Sequence, residues 1–147
     1  MQHSELIDAL QVATRDFLAI ALRSLDQVPG LKLQHVRLLI AVHEHPGVAS
    51  ATLAETLGVS PSSVTRQADR LCEEGYLMRA QRPGNRRIVE LGLTPEGEDV
   101  VRKVLGFRAE VFSRAMPSVE PTLRPALSES LGQLHEALRQ AARTDGS

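Results

Sequence analysis

At 147 residues the chain has the length of one domain, enough to bury a core but not to build two large independent domains. Its 42% apolar and 24% charged residues, with a net charge of −1, are those of an ordinary globular protein. A single cysteine, Cys72, excludes an internal disulfide framework and a cysteine-rich zinc site. No apolar run reaches membrane-spanning length, and the polar start Met1 to Asp8 lacks the regions of a signal peptide, so the expected compartment is the cytoplasm with no membrane partner. Aromatic side chains are scarce, and Tyr76 is the only one in the basic part of the chain. That excludes the stacking platform on which single-strand and RNA binders rely.

From Glu5 to Leu25 the residues Leu6, Leu10, Ala13, Phe17, Ile20, Ala21 and Leu25 fall at helical spacing, and Pro29-Gly30 ends the run. A short apolar helix is expected over Leu33 to His45, stopping at Pro46-Gly47. Ser50 is the expected N-cap of a third helix carrying Leu53, Ala54 and Leu57, with Gly58 placed for a left-handed C-terminal residue. Ser60 caps the next helix and Pro61 takes its first position, where a missing N–H is harmless. Two helices joined through Gly58-Val59-Ser60 make a helix-turn-helix.

Along the second of them Val64, Ala68 and Leu71 form the packing stripe, which leaves Ser62, Ser63, Thr65, Arg66, Asp69 and Arg70 outside. Gly75 ends it. Extended runs over Leu77 to Gln81 and Arg87 to Leu93 around Pro83-Gly84-Asn85 predict a β-hairpin, or wing. Thr94-Pro95-Glu96-Gly97 opens a helix to about Met116, Pro117 and Pro121 break it, and a last helix from about Thr122 carries Leu123, Leu127, Leu131, Leu134 and Leu138. The tail Thr144 to Ser147 is expected to be disordered.

The predicted fold is mainly α with a small β-wing: a winged helix-turn-helix over residues 31–95, a linking helix over 96–116, and dimerisation helices in 1–30 and 117–147. The apolar stripes of the terminal helices have no partner within the chain large enough to cover them, so a homodimer is expected.

Between Ser60 and Val89 six arginines (66, 70, 79, 82, 86 and 87) face three acids, a local charge of +3 that leaves −4 for the rest. Such a concentration on one helix and one loop suits a polyanion, most simply double-stranded DNA. Arg82 and Arg86 are expected on phosphates and Arg87 on a groove floor, while Arg66 has the reach to read a guanine. Ser62, Ser63 and Thr65 suit phosphate and base-edge contacts near a helix N-terminus. Arg70 and Arg79 admit two readings, DNA contact or ion pairs with Asp69 or Glu73.

The segments Ser62 to Leu71 (SSVTRQADRL), Glu74 to Arg79 (EGYLMR) and Asn85 to Gly97 (NRRIVELGLTPEG), with Leu31 to Leu39 (LKLQHVRLL), resemble the MarR family of bacterial winged-helix regulators. The resemblance implies a homodimer that places its recognition helix in the major groove, with Thr65 and Arg66 at recognition positions, and Arg87 in the adjacent minor groove. It implies a transcriptional regulator, here read as a repressor on a pseudo-palindromic operator. A small aromatic or lipophilic ligand would bind where the reading unit meets the dimer helices, in a cleft lined by Phe17, Leu38, His43 and Phe107. Asn85 departs from the family's Asp-x-Arg wing motif; an amide accepts a hydrogen bond from a guanidinium without the charge, so a less firmly held wing arginine is expected.

Other features are read more plainly. Cys72 beside the apolar stripe is a small hydrophobe without a partner thiol. His43 and His45, with His35 two turns earlier, lack the spacing of ligands on one helical face, so no metal and no cofactor is expected, even with His3 and His135 in reserve. No nucleophile elbow, paired carboxylates or glycine-rich phosphate loop points to an enzyme. The remaining alternative is a sequence-blind architectural or protein-binding winged-helix module.

Overall fold

A computed structural model describes residues 2–144. Helix α1 (Gln2–Ser24) runs into a 3-10 turn, Leu25–Gln27, and is followed by α2 (Leu33–Glu44), α3 (Ser50–Leu57) and α4 (Pro61–Glu73). The antiparallel hairpin of β1 (Leu77–Arg82) and β2 (Asn85–Leu93) leads into α5 (Pro95–Ala115). Two 3-10 turns, Met116–Ser118 and Pro121–Leu123, precede α6 (Arg124–Thr144). This is the expected mainly α fold with a β-wing. The tail beyond Thr144, expected to be disordered, lies outside the described residues, and Thr144 itself ends α6.

The core is built around α2, which buries Val36, Leu38, Leu39, Ala41 and Val42. Against it lie Leu53 and Ala54 of α3, Val64, Ala68 and Leu71 of α4, Leu77 and Leu91 of the hairpin, and Val100, Val101 and Val104 of α5. Each fully buried Leu or Val stabilises by about 1.5–3 kcal/mol, so this cluster supplies most of the drive to fold. The terminal helices add almost nothing to it: α1 buries only Ser24, and α6 buries no residue.

Two of the expected helix starts form as the residue types dictate. Ser60 Oγ accepts from the N–H of Ser63 at 3.1 Å, and Thr94 Oγ1 accepts from the N–H of Gly97 at 3.1 Å, with Pro61 and Pro95 in the following positions. Thr94 also donates its hydroxyl to the carbonyl of Gly75 at 2.6 Å, which ties α5 to the end of α4. The joint is so close that a Cβ at Gly97 would strike the backbone carbonyl of Tyr76, and this is why a glycine stands there.

Two starts differ from expectation. Ser50 is the first residue of α3 rather than its cap; Ala49 takes the cap position because a β-bridge to Glu90 holds it extended. The last helix begins at Arg124, not Thr122, because Pro121–Leu123 close a 3-10 turn first. Arg124 then donates Nη2 to the carbonyls of Met116 and Val119, at 3.0 and 3.1 Å, and so fixes how α6 leaves that turn.

His35 is buried inside this unit, and its Nδ1 accepts from the N–H of Lys32 at 3.3 Å. Burial pushes its pKa below the ordinary 6.5; the nearby cations Arg70 and Lys32 act in the same direction and Glu74 opposes them. The unfolded chain therefore takes up the proton first as pH falls, and stability present above 6.5 is lost on acidification toward the folded value. His35→Asn keeps an acceptor at that point but does not titrate. Urea unfolding of wild type at about pH 7.5 and about pH 5 should show a larger drop than the variant does; equal drops would contradict this account.

Candidate nucleic-acid interface

Helix α4 divides cleanly. Val64, Gln67, Ala68 and Leu71 are buried, whereas Ser62, Thr65, Arg66 and Asp69 are exposed and Ser63 and Arg70 half-buried. The hydroxyl of Thr65 donates back to the carbonyl of Pro61 at 3.1 Å, an ordinary intrahelical bond. The N-terminal turn of α4 thus carries the hydroxyls of Ser60, Ser62 and Ser63, groups that suit an anion, while the N–H of Ser63 is taken by Ser60 Oγ. Gln67, which periodicity alone leaves unremarked, joins the buried stripe one turn below Ser63.

The hairpin pairs regularly from Leu77 with Leu93 to Gln81 with Val89, and then shifts so that Arg82 pairs with Asn85. Arg86, Arg87 and Ile88 therefore have no partner residue on β1 and form a bulge, a device that re-aims side chains. Gly84, at φ +82°, makes the tight turn possible. Asn85 does not hold the guanidinium of Arg87 as the resemblance implied. Its Oδ1 accepts from the backbone N–H of Arg87 at 3.2 Å, so it shapes the wing tip through the main chain. A neutral amide suffices for that bond.

The six arginines separate into two kinds. Arg70 pairs with Glu74 at 2.9 Å, Arg79 with Asp69 at 2.6 Å, and Arg82 with Glu90 at 2.6 Å. Arg79 thus resolves to an ion pair with Asp69, and Arg70 is paired as well, with Glu74 instead of Glu73. Arg82 also donates to the carbonyl of Gly47 at 3.0 Å, so it fastens the wing base to the turn before α3. The acid that neutralises Arg82, Glu90, stands one residue beyond the basic segment Ser60 to Val89. By contrast, no hydrogen bond or ion pair among the described residues engages the side chains of Arg66, Arg86 or Arg87, all of them exposed. These three are the uncompensated cations of the face, donors without acceptors, which is the chemistry of a phosphate or guanine contact.

The four residues expected to line a ligand cleft are dispersed. Leu38 is fully buried in the core and presents no surface to a cleft, because α2 is packed on the side it faces. His43 is exposed on α2 and Phe107 half-buried on α5. Phe17 packs edge to face on Phe112, ring centres 6.0 Å apart, a pair the sequence did not reveal. Neither of two open cavities of about 460 and 440 Å³ is lined by any of the four. The first lies between the α1–α2 connection and the start of α5, the second between α3 and α6 with His45 and His135 in its walls. Among the described residues no three His, Cys, Asp or Glu side chains gather to hold a metal, and no helix is long and apolar enough to cross a membrane. Cys72 is a free, half-buried thiol.

These elements define a winged helix-turn-helix with three unpaired cations, Arg66, Arg86 and Arg87, on α4 and the wing. Residues 31–89 match the sequence model of the MarR family. The HTH-type transcriptional repressor MdtR of Bacillus subtilis is 30% identical over 118 residues, 79% of this chain and 72% of its own length. The crystal structure of RV1404 from Mycobacterium tuberculosis is 33% identical with a TM-score of 0.78, covering 93% of this chain and 94% of that one. Streptococcus pneumoniae FabT, solved in complex with DNA, has the same fold at 17% identity and a TM-score of 0.77, covering 95% of this chain and 99% of that one. The chain belongs to the MarR family of winged-helix transcriptional regulators, DNA-binding proteins rather than enzymes.

The Arg82–Glu90 pair is partly exposed, so its coupling should be modest. A double-mutant cycle of Arg82→Ala and Glu90→Ala in urea unfolding is expected to give about 0.5–1 kcal/mol of interaction. Strictly additive losses would show that the two side chains stabilise the wing independently.

Proposed function

We propose that this chain is a cytoplasmic repressor that binds a pseudo-palindromic operator as a homodimer and leaves it when a small ligand binds. The observation that carries the reading is the division of the arginines: the scaffold neutralises Arg70, Arg79 and Arg82 in place and leaves Arg66, Arg86 and Arg87 unpaired on one helix and one bulge. In this reading α4 enters the major groove, where Arg66 and Thr65 meet base edges and Ser62 and Ser63 meet phosphates. Arg87 enters the adjacent minor groove, and Arg86 lies on the backbone. Arg70 and Arg82 support that face and contribute less charge to it than their number suggests.

Dimerisation through residues 1–30 and 117–147 is favoured by the apolar surface of the terminal helices. Leu6, Phe17 and Leu18 on α1 are 49–57% exposed, and Leu138 on α6 is 61% exposed. Apolar faces of this extent call for a partner, and a second copy supplies the same faces in a closed, self-complementary arrangement. It also sets two reading units about 34 Å apart, one turn of DNA. An aromatic or lipophilic effector acts, in this reading, between the reading unit and the terminal helices, by holding the units at another separation. The effector then binds the free dimer more tightly than the DNA-bound one.

Selection of duplexes from a random pool, followed by mobility-shift titration, tests the reading directly. Arg87→Ala should weaken the selected duplex by about 1–3 kcal/mol, and Arg86→Ala should reduce the salt slope by about one, whereas Arg82→Ala should change the slope less. Equal affinity for selected and random duplexes would point instead to a sequence-blind module. Light scattering should report a dimer, and deletion of the chain after Pro121 should give aggregation or an unstable monomer; a stable monomer that still binds tightly would refute the dimer.

A further inference from the structure

Gln67 occupies a position on α4 that packing assigns to an apolar residue. It lies in the buried stripe with Val64, Ala68 and Leu71 and keeps only 8% of its surface. Its Oε1 is buried with no hydrogen-bond partner among the described residues, a loss that an apolar side chain of similar volume avoids. Its Nε2 donates to the hydroxyl of Ser63, one turn earlier, at 3.0 Å. The opposite amide orientation is worse, since it would leave a buried two-donor NH2 group without an acceptor in place of one carbonyl without a donor.

The consequence is directional. A serine hydroxyl carries one proton, and because Ser63 Oγ accepts from Gln67 on its inner side, that proton is left for an acceptor outside. The backbone of Ser63 is held as well, its N–H donating to Ser60 Oγ at 3.1 Å. Phosphate oxygens only accept hydrogen bonds, so a serine with its proton directed outward binds them and one that donates inward does not. We propose that Gln67 is a positioning residue, which holds Ser63 as a hydrogen-bond donor to a DNA phosphate at the N-terminus of α4. The inference rests on the reading of α4 as the DNA-reading helix, and it accounts for an otherwise unfavourable buried amide.

The test is a double-mutant cycle in full-length protein, wild type, Gln67→Met, Ser63→Ala and the double variant, titrated against the duplex selected from a random pool. Gln67→Met is expected to weaken binding by about three- to tenfold. The salt slope should stay unchanged, since a neutral hydroxyl displaces no counterion. The thermal midpoint should not fall, because the unpaired carbonyl is gone. In the Ser63→Ala background the same change should alter affinity by less than about twofold. Equal losses in both backgrounds, or no loss in the wild-type background, would overturn the role assigned to Gln67. Gln67→Leu serves as a second variant; if neither it nor Gln67→Met folds, the amide is needed for packing and the inference fails. A wild-type protein that binds no duplex would instead remove the reading of α4 itself.

Discussion

Burial of the apolar stripe of α4 against α2 and α3 is the constraint on which the rest of this structure depends. Val64, Ala68 and Leu71 leave water together, and once they do, the 3.6-residue period decides which side chains remain outside. The same packing sets the end of α4, where Thr94 bonds to Gly75 and Gly97 passes close to Tyr76. The wing is thereby hung at a fixed place beside the helix. A reading surface assembled from two elements of different type needs such a joint, since neither a lone helix nor a two-stranded hairpin is stable in water by itself.

Charge on this face is selected rather than accumulated. Exposed ion pairs add little stability, so Arg70–Glu74 and Arg79–Asp69 are better understood as removing charge from unwanted places than as holding the fold. Arg82 differs, because its bond to Glu90 crosses the hairpin while its bond to the carbonyl of Gly47 reaches a segment far away in sequence, and together they brace the base of the wing. Beyond that brace the bulge at Arg86 to Ile88 carries the unpaired cations outward. Rigidity at the base and uncompensated charge at the tip belong to one design: a cation held on a fixed stem loses less freedom on binding than one on a mobile loop.

The terminal helices follow another logic. They bury almost nothing within the chain, yet α1 is anchored where Arg108 donates to the buried hydroxyl of Ser24 at 3.2 Å, in surroundings dry enough to lower the pKa of the guanidinium. α6 is anchored where Arg124 collects the carbonyls of the preceding turn. With Phe17 on Phe112 and the second half of α6 beside α3, both helices are held in place and yet bare along an apolar face, an arrangement suited to receiving a partner helix more than to completing a core.

What was legible in the amino-acid sequence is what local chemistry decides. Helix caps at Ser60 and Thr94, the prolines after them, the glycines at 58, 75 and 84 and the stripe of α4 act over a few residues, and each appears where those residue types require it. The concentration of arginines was legible for the same reason, being a property of neighbouring positions. What only the tertiary structure decided is which charges cancel and which polar groups are shut away. Glu90 neutralises Arg82 because of hairpin register, Ala49 displaces Ser50 as a cap because it bridges to Glu90, Phe17 meets Phe112 across two helices, and Gln67 is buried with the packed stripe of α4. Hydrogen bonds and ion pairs act over a few ångströms, and only the folded chain sets those distances between residues far apart in sequence.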